Sequence, residues 1–268
     1  MARVVADLMK VVGISHLIAR AKYVWGPKGH AREMLPFIIR RGDTMIKLAT
    51  PIILEHLVQV AADSVTLDGD LRWPEDARAV VLFAHGSGSS RHSSRNRYVA
   101  RLLNKAKLAT LLIDLLTVDE EAIDVHTAHL RFDIELLARR LVGATDWVTQ
   151  RADMRHLPIG YFGASTGAAA ALVAATRRPD VIGAIVSRGG RPDLAGPVLS
   201  RVRAPTLLIV GGKDVQMVQL NRAALAQLLC EKQIGIVPGA THFFEEQDHH
   251  PAIRALHLPH RPPAWREE

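Results

Sequence analysis

A chain of 268 residues that is 48% apolar and 23% charged is long enough for one large buried core and has the composition of an ordinary globular protein. Its formal charge of +7 is concentrated: residues 1–50 hold nine Lys/Arg and three Asp/Glu, and the rest is nearly neutral. With no zinc-finger spacing, basic-region heptads or stacking platform, nothing here specifies nucleic-acid binding; the single cysteine, Cys230, excludes an intrachain disulfide and suits a reducing cytoplasm.

The leading segment, residues 1–55, reads as a basic extension. Val4, Val5, Leu8, Val11, Val12, Leu17 and Ile18 share one helical face, while Arg3, Lys10 and Arg20 lie elsewhere. It lacks a clean apolar stretch with a cleavage site, so no signal peptide is expected, and no apolar run in the chain is long and uncharged enough to span a bilayer. The apolar face is expected to pack on this chain or on a second copy, as the contact of a homo-oligomer.

Residues 56–246 alternate strands and helices. "LVQVAADSVTLDGDLRW" alternates apolar and polar residues and predicts an antiparallel hairpin turning at Asp68-Gly69. "AVVLFAHG" (79–86) is a continuous apolar run, as a strand buried on both faces should be. A helix is predicted at 94–106, a strand at 109–116 and the clearest amphipathic helix at 129–150. Strand 157–162, helix 166–177, strands 181–187 and 205–211, helix 216–230 and strand 233–239 follow. The order predicts an α/β fold, a mostly parallel twisted sheet with helices on both faces. The short 187–205 connection leaves no room for a large cap domain. Residues 247–268 form a His/Pro-rich tail. Its His249, His250, His257 and His260 are interrupted by proline and lack thiolate or carboxylate company, so no metal is expected.

In such sheets functional groups sit just past the carboxyl ends of strands. "GYFGASTGAAAAL" (160–172) passes from strand to helix through Gly163-Ala164-Ser165-Thr166-Gly167, a G-x-S-x-G stretch whose small residues permit the tight turn that exposes a nucleophilic serine. A dinucleotide-binding turn or a plain helix cap would use the same residue types. However, "GSGSSR" has Arg91 where a dinucleotide fingerprint wants a small residue, and there is no Walker lysine and no downstream Tyr-x-x-x-Lys pair. Asp214 follows the strand of "TLLIVGGKD", and His242 follows that of "IGIVPGATHFF". A serine hydroxyl needs an imidazole to take its proton, and the imidazole needs a carboxylate to hold its tautomer. Ser165, Asp214 and His242 are therefore the candidate catalytic residues, although Asp214 alone would serve equally as the cap of the helix after it.

The loop "FAHGSGSS" follows the first buried parallel strand, so the N–H groups of Ser87 and Thr166 are the candidate oxyanion donors, each worth roughly 3 kcal/mol. His85 beside that loop reads as structural. Arg91 and Arg188 stand at two strand ends, with Arg95, Arg97 and Arg191 nearby. They are candidates for gripping an anionic substrate group, and a solvated basic rim would be composed the same way.

The segments "LFAHGSGSSRHSSRNRYVA", "RFDIELLARRL", "LPIGYFGASTGAAAALVAA", "VSRGGRPDLAG", "APTLLIVGGKD" and "VPGATHFFEE" resemble the dienelactone-hydrolase-like branch of the α/β-hydrolase superfamily across about residues 56–246. The resemblance implies the α/β-hydrolase fold, the chain order Ser165, Asp214, His242, and a cofactor-free enzyme acting on a small-molecule ester. Dienelactone hydrolases proper use cysteine at the elbow. Ser165 shifts the expectation to a carboxylesterase that forms an acyl-enzyme with small to medium acyl groups, in the cytoplasm. Members resembling this chain sometimes occur fused to a phosphoribosyltransferase domain, and no phosphoribosyl-pyrophosphate loop is visible here. Relatives continue after the histidine into a long amphipathic helix, whereas "QDHHPAIRALHLPHRPPAWREE" holds only a short one. The expectation from a different class is a catalytically degenerate hydrolase fold, a scaffold docking through its basic extension.

Overall fold

The computed structural model describes residues 39–41, 44–46, 53–242 and 244. A short antiparallel pair, β1 (Ile39–Arg41) and β2 (Thr44–Ile46), stands apart from the main sheet of eight strands. The helical face drawn through Val4 to Ile18 and the tail 247–268 lie outside the described residues.

The all-apolar run at 79–84 dictates the centre of the main sheet, because a strand without polar side chains must be covered on both faces. In β5 (Val80–Ala84), Val80, Leu82 and Ala84 join one core cluster, and Val81 and Phe83 the other. β5 lies between β6 (Ala109–Ile113) and β7 (Ile159–Ala164), parallel to both. Beyond β7 come β8 (Ile182–Arg188), β9 (Thr206–Gly211) and β10 (Lys232–Val237), all parallel. On the other flank β4 (Val65–Pro74) runs antiparallel to β6 and to the edge strand β3 (Ile53–Ala62). The chain leaves β5 for β6 and then returns to β7 on the opposite side. The crevice over the carboxyl ends of β5 and β7 is therefore the topological switch point, where such sheets hold their sites.

Helix α1 (Ser94–Lys105) covers one face through Val99, Ala100 and Leu103. α2 (Val118–Thr127) follows β6, with Thr117 and Glu120 forming a capping box at its start. α3 (Ile134–Gln150), α4 (Thr166–Arg177) and α5 (Val215–Gln227) cover the opposite face. Every residue of α4 from Thr166 to Ala175 is buried, and its alanines explain how a helix fits between the sheet and α3. Between β8 and β9 stands only a run of 3-10 turns, Pro192–Arg201, broken at Gly196. Among the described residues, no helix is long and apolar enough to cross a membrane.

Three elements depart most from the sequence reading. The hairpin turns at Asp63-Ser64, with Asp63 at a φ of 58°, because only this register puts Val60, Ala62, Leu67 and Leu71 together in the core. Gly69 instead lies within β4, where Leu111 and Val58 approach to 3.1 Å of the place a Cβ would take. β6 ends at Ile113, since Asp114 turns to pair with Arg91. α2 went unforeseen because Val118, Ile123 and Val125 are exposed, which hides its amphipathic period.

Gly143, in the middle of α3, shows how tightly that helix lies on β3. A Cβ there would stand 2.5 Å from Ala62 Cα and 2.8 Å from Ala62 Cβ. Gly→Ala within a helix ordinarily stabilises by up to about 1 kcal/mol. Gly143→Ala is expected to do the reverse, lowering the urea midpoint; an unchanged or raised midpoint would show that α3 can shift off the strand.

Candidate active site

The turn from β7 into α4 is forced by what its residues lack. A Cβ on Gly163 would fall 2.5 Å from Ala168 Cα, and one on Gly167 would fall 2.2 Å from the Ala84 carbonyl oxygen. Both glycines are thus required by close backbone approach. Between them Ser165 sits at φ 49° and ψ −123°, a state that costs a residue with a Cβ about 1–3 kcal/mol. It is only half-buried while its neighbours are buried, so its side chain stands at the mouth of the crevice. Its carbonyl accepts from Ala168 N–H at 3.1 Å and Arg191 N–H at 3.0 Å.

Asp214 and His242 meet as the strand-end placement required. His242 Nδ1 donates to Asp214 Oδ2 at 2.7 Å. Asp214 also caps a helix: its Oδ1 accepts, weakly, from Met217 N–H at 3.4 Å at the start of α5. The histidine loop is docked on the end of β9, where a Cβ on Gly211 would lie 2.3 Å from the Thr241 carbonyl. Lys213 N–H donates to the Ala240 carbonyl at 2.9 Å. The segment 189–191 touches both halves of the site. Gly189, at φ 51°, packs under His242, and Arg191 holds the Ser165 carbonyl.

The loop after β5 lies against the elbow so closely that a Cβ on Gly86 would stand 2.8 Å from Ser165 Cβ. Ser87 N–H points to Thr166 Oγ1 at 3.0 Å, so the two residues chosen as oxyanion donors are neighbours. Thr166 N–H belongs to the first turn of α4, where no intrahelical acceptor exists. His85 is buried, and both ring nitrogens are engaged. Leu115 N–H donates to Nε2 at 3.0 Å, which puts the proton on Nδ1 for donation to the Gly86 carbonyl at 2.9 Å. Burial pushes its pKa down, against the pull of that carbonyl, Asp114 and Glu121, and keeps it neutral.

The two candidate arginines part company. Arg91 pairs with Asp114 through both backbone and guanidinium and lies 3.4 Å from Asp68 and from Asp70. Burial opposes its charge, but the Asp114 hydrogen bond and the three carboxylates offset that and push its pKa up. Arg91 is thus met by three carboxylates that link the loop after β5 to β4 and to the end of β6. Arg97 joins the same cluster through Asp70 at 2.7 Å, and Arg191 is neutralised by Asp193. Arg188 has no carboxylate partner among the described residues. It donates to Asn96 Oδ1 at 3.2 Å and lies 5.8 Å from the centre of the Phe162 ring. Burial, with Arg95 nearby, pushes its pKa down to about 10.

Sequence reasoning missed Asn96 and Asn221, both buried polar residues within helices. Asn96 holds Arg188; Asn221 donates to the Gly190 carbonyl at 3.0 Å and fixes the 189–191 segment. An asparagine on the apolar face of a helix was the available signal.

The chain shares 58% identity with a dienelactone hydrolase from Anabaena variabilis ATCC 29413, whose crystal structure matches with a TM-score of 0.73 over 76% of this chain and 95% of that one. Two Mycobacterium tuberculosis proteins (strains CDC 1551 / Oshkosh and ATCC 25618 / H37Rv), provisionally named phosphoribosyl transferases, are each 55% identical over 198 residues. That stretch is 74% of this chain and 44% of theirs, so the chain spans less than half the length of these curated relatives. Est1E from Butyrivibrio proteoclasticus shares the fold at 14% identity, with a TM-score of 0.61 over 75% of this chain and 95% of its own. No protein-family model matches the chain.

The Arg91 cluster predicts a stability effect without a specificity effect. Arg91→Met would leave Asp68, Asp70 and Asp114 facing one another, and is expected to lower stability by about 2–4 kcal/mol. The ratio of rates on anionic and neutral esters should stay constant. A fall confined to anionic esters, at unchanged melting temperature, would return Arg91 to the substrate.

Proposed function

The chain belongs to the dienelactone hydrolase family of α/β-hydrolases, and we propose that within this family of hydrolases it is a serine carboxylesterase working through an acyl-enzyme. The observation that carries this reading is the backbone of Ser165. A serine held at φ 49° between two obligatory glycines, beside a hydrogen-bonded Asp214–His242 pair, has a conformation with no structural use that a glycine would not serve better.

Ser165 Oγ attacks the ester carbonyl carbon while its proton passes to His242 Nε2. Asp214 keeps the Nδ1–H tautomer and stabilises the imidazolium. The negative charge gathers on the former carbonyl oxygen, facing the N–H groups of Ser87 and Thr166. The tetrahedral intermediate expels the alcohol, which takes the proton from His242, and water reverses the sequence on the acyl-enzyme. Every proton and electron pair is supplied by substrate, water and these side chains. Asp214→Asn would leave the imidazole in the wrong tautomer.

Arg188 supports a preference for esters that carry a second, anionic group. A guanidinium that is desolvated and, among the described residues, held by Asn96 gains charge-assisted hydrogen bonds when a carboxylate arrives. The provisional name of the longer Mycobacterium tuberculosis relatives gives no reason to propose phosphoribosyl transfer here, because the glycine-rich loop at 86–88 packs against a serine elbow.

Ser165→Ala is expected to lower kcat by at least about a thousandfold and to abolish fluorophosphonate labelling, with the melting temperature unchanged. Ser165→Gly should be inactive too, yet more stable than wild type, since glycine relieves the strain. Labelling that survives in Ser165→Ala would place the nucleophile elsewhere.

For Arg188→Gln, KM for an ester bearing a carboxylate should rise roughly tenfold or more, while KM for its neutral methyl analogue stays level. Equal effects on both esters would mean that Arg188 only packs.

A further inference from the structure

Asp214 caps α5, and Asn221 follows it two helical turns later on nearly the same face. We propose that Asn221 is a positioning residue for the reaction, anchoring the segment that backs both Ser165 and His242. The assignment rests on the serine-hydrolase reading above.

Asn221 is 0% exposed in the middle of its helix. An asparagine there gives up helix propensity, and a buried amide gives up its hydration. The amide donates to the Met217 carbonyl of its own helix at 2.9 Å, and to the Gly190 carbonyl, thirty-one residues away, at 3.0 Å. Its Oδ1 is buried without a partner among the described residues. The polar contact of this side chain outside α5 is therefore the one bond to Gly190.

Gly190 is the centre of a stretch that touches both halves of the site. On one side of it, Arg191 N–H donates to the Ser165 carbonyl at 3.0 Å. On the other, a Cβ on Gly189 would lie 3.0 Å from the His242 carbonyl oxygen and 3.9 Å from His242 Cε1. Gly190 itself lies on the start of α4, where its Cβ would stand 2.6 Å from Ala168 Cβ. The peptide of the nucleophile and the imidazole thus rest on neighbouring residues, and Asn221 ties the residue between them to α5. The same face of α5 begins with Asp214, which holds His242 Nδ1 at 2.7 Å. One rigid helix therefore sets the acid directly and, through Gly190, the seat of the histidine and the serine. Loss of the amide leaves every reacting group present and frees that seat. A displacement of about 1 Å costs on the order of a hundredfold in rate.

A purely structural asparagine would hold the fold together and leave each folded site at full speed. In the full-length chain, Asn221→Leu removes the amide at nearly constant volume. It strands the Gly190 carbonyl but also removes the unpartnered Oδ1, so its effects on stability oppose each other. Fluorophosphonate labelling carried to completion, and mapped to Ser165 by mass spectrometry, counts the intact sites. The rate on p-nitrophenyl acetate is then expressed per labelled site. On that scale Asn221→Leu is expected to lose about tenfold or more in kcat, with KM within about twofold of wild type. Gly143→Ala, which disturbs α3 at the β3 edge of the sheet, should keep full kcat per labelled site. Fewer labelled Asn221→Leu sites, each as fast as wild type, would overturn the proposal, and so would a change confined to KM. Should Asn221→Leu not accumulate as folded protein, Gly190→Ala carries the same test, because its Cβ displaces the segment while the amide stays. If wild-type Ser165 is labelled and Asn221→Leu keeps its kcat, only the positioning role falls. An unlabelled Ser165 in wild type would overturn the serine-hydrolase reading and this proposal together.

Discussion

The elbow at Ser165 exists because three backbone segments approach within distances that exclude a Cβ. Gly167 lies on the Ala84 and His85 carbonyls, Gly163 on the start of α4, and Gly86 on Ser165 itself. Once those contacts are made, the residue between Gly163 and Gly167 has no choice of φ. The strain of about 1–3 kcal/mol is small beside the apolar burial of β5, β7 and α4 that enforces it. The same approach brings the loop after β5 against the elbow, so the position of Ser87 N–H is a consequence of the glycines as much as of its own sequence.

Around that point polar groups do two tasks at once. Asp214 begins α5 with one oxygen and holds His242 with the other. His85, neutral because it is buried, ties the oxyanion loop to the end of β6 while aligning the peptide that presents Ser87 N–H. Asn221 keeps the 189–191 segment where it can touch both Ser165 and His242. The geometry around Ser165 is thus set by hydrogen bonds among the side chains that surround it.

The arginines show that residue type and strand-end placement do not decide a role; charge balance does. Arg91 reaches β4, the strand that runs against its neighbours and brings Asp68 and Asp70 to the carboxyl end of β6. With Asp114 they neutralise it. Arg188 ends a strand on the other flank, where among the described residues it meets Asn96, the Phe162 ring and another arginine.

Much of this was written in local patterns. The apolar run at 79–84 pointed to a central strand, the residues of G-x-S-x-G to a tight turn from strand to helix, and Asp214 and His242, each past a strand, to a pair that the fold brings into hydrogen bond. Such features are legible because they depend on neighbours in the chain: periodicity, small residues, and strand ends. What lay beyond the sequence depends on which strands become neighbours in space. The hairpin turned at Asp63-Ser64 and not at Asp68-Gly69, because burial of Val60 and Leu67 across the pair outweighed the better local turn. Arg91 meets Asp68 and Asp70 because β4 pairs with β6, a strand some forty residues further along the chain. The hydrogen bond from Ser87 N–H to the Thr166 hydroxyl needed two segments seventy-nine residues apart to be packed through glycine. Local propensity and motif could name candidate groups. Only tertiary packing could decide which of the polar groups around them were already satisfied, because a hydrogen bond or ion pair is a property of two positions and not of one.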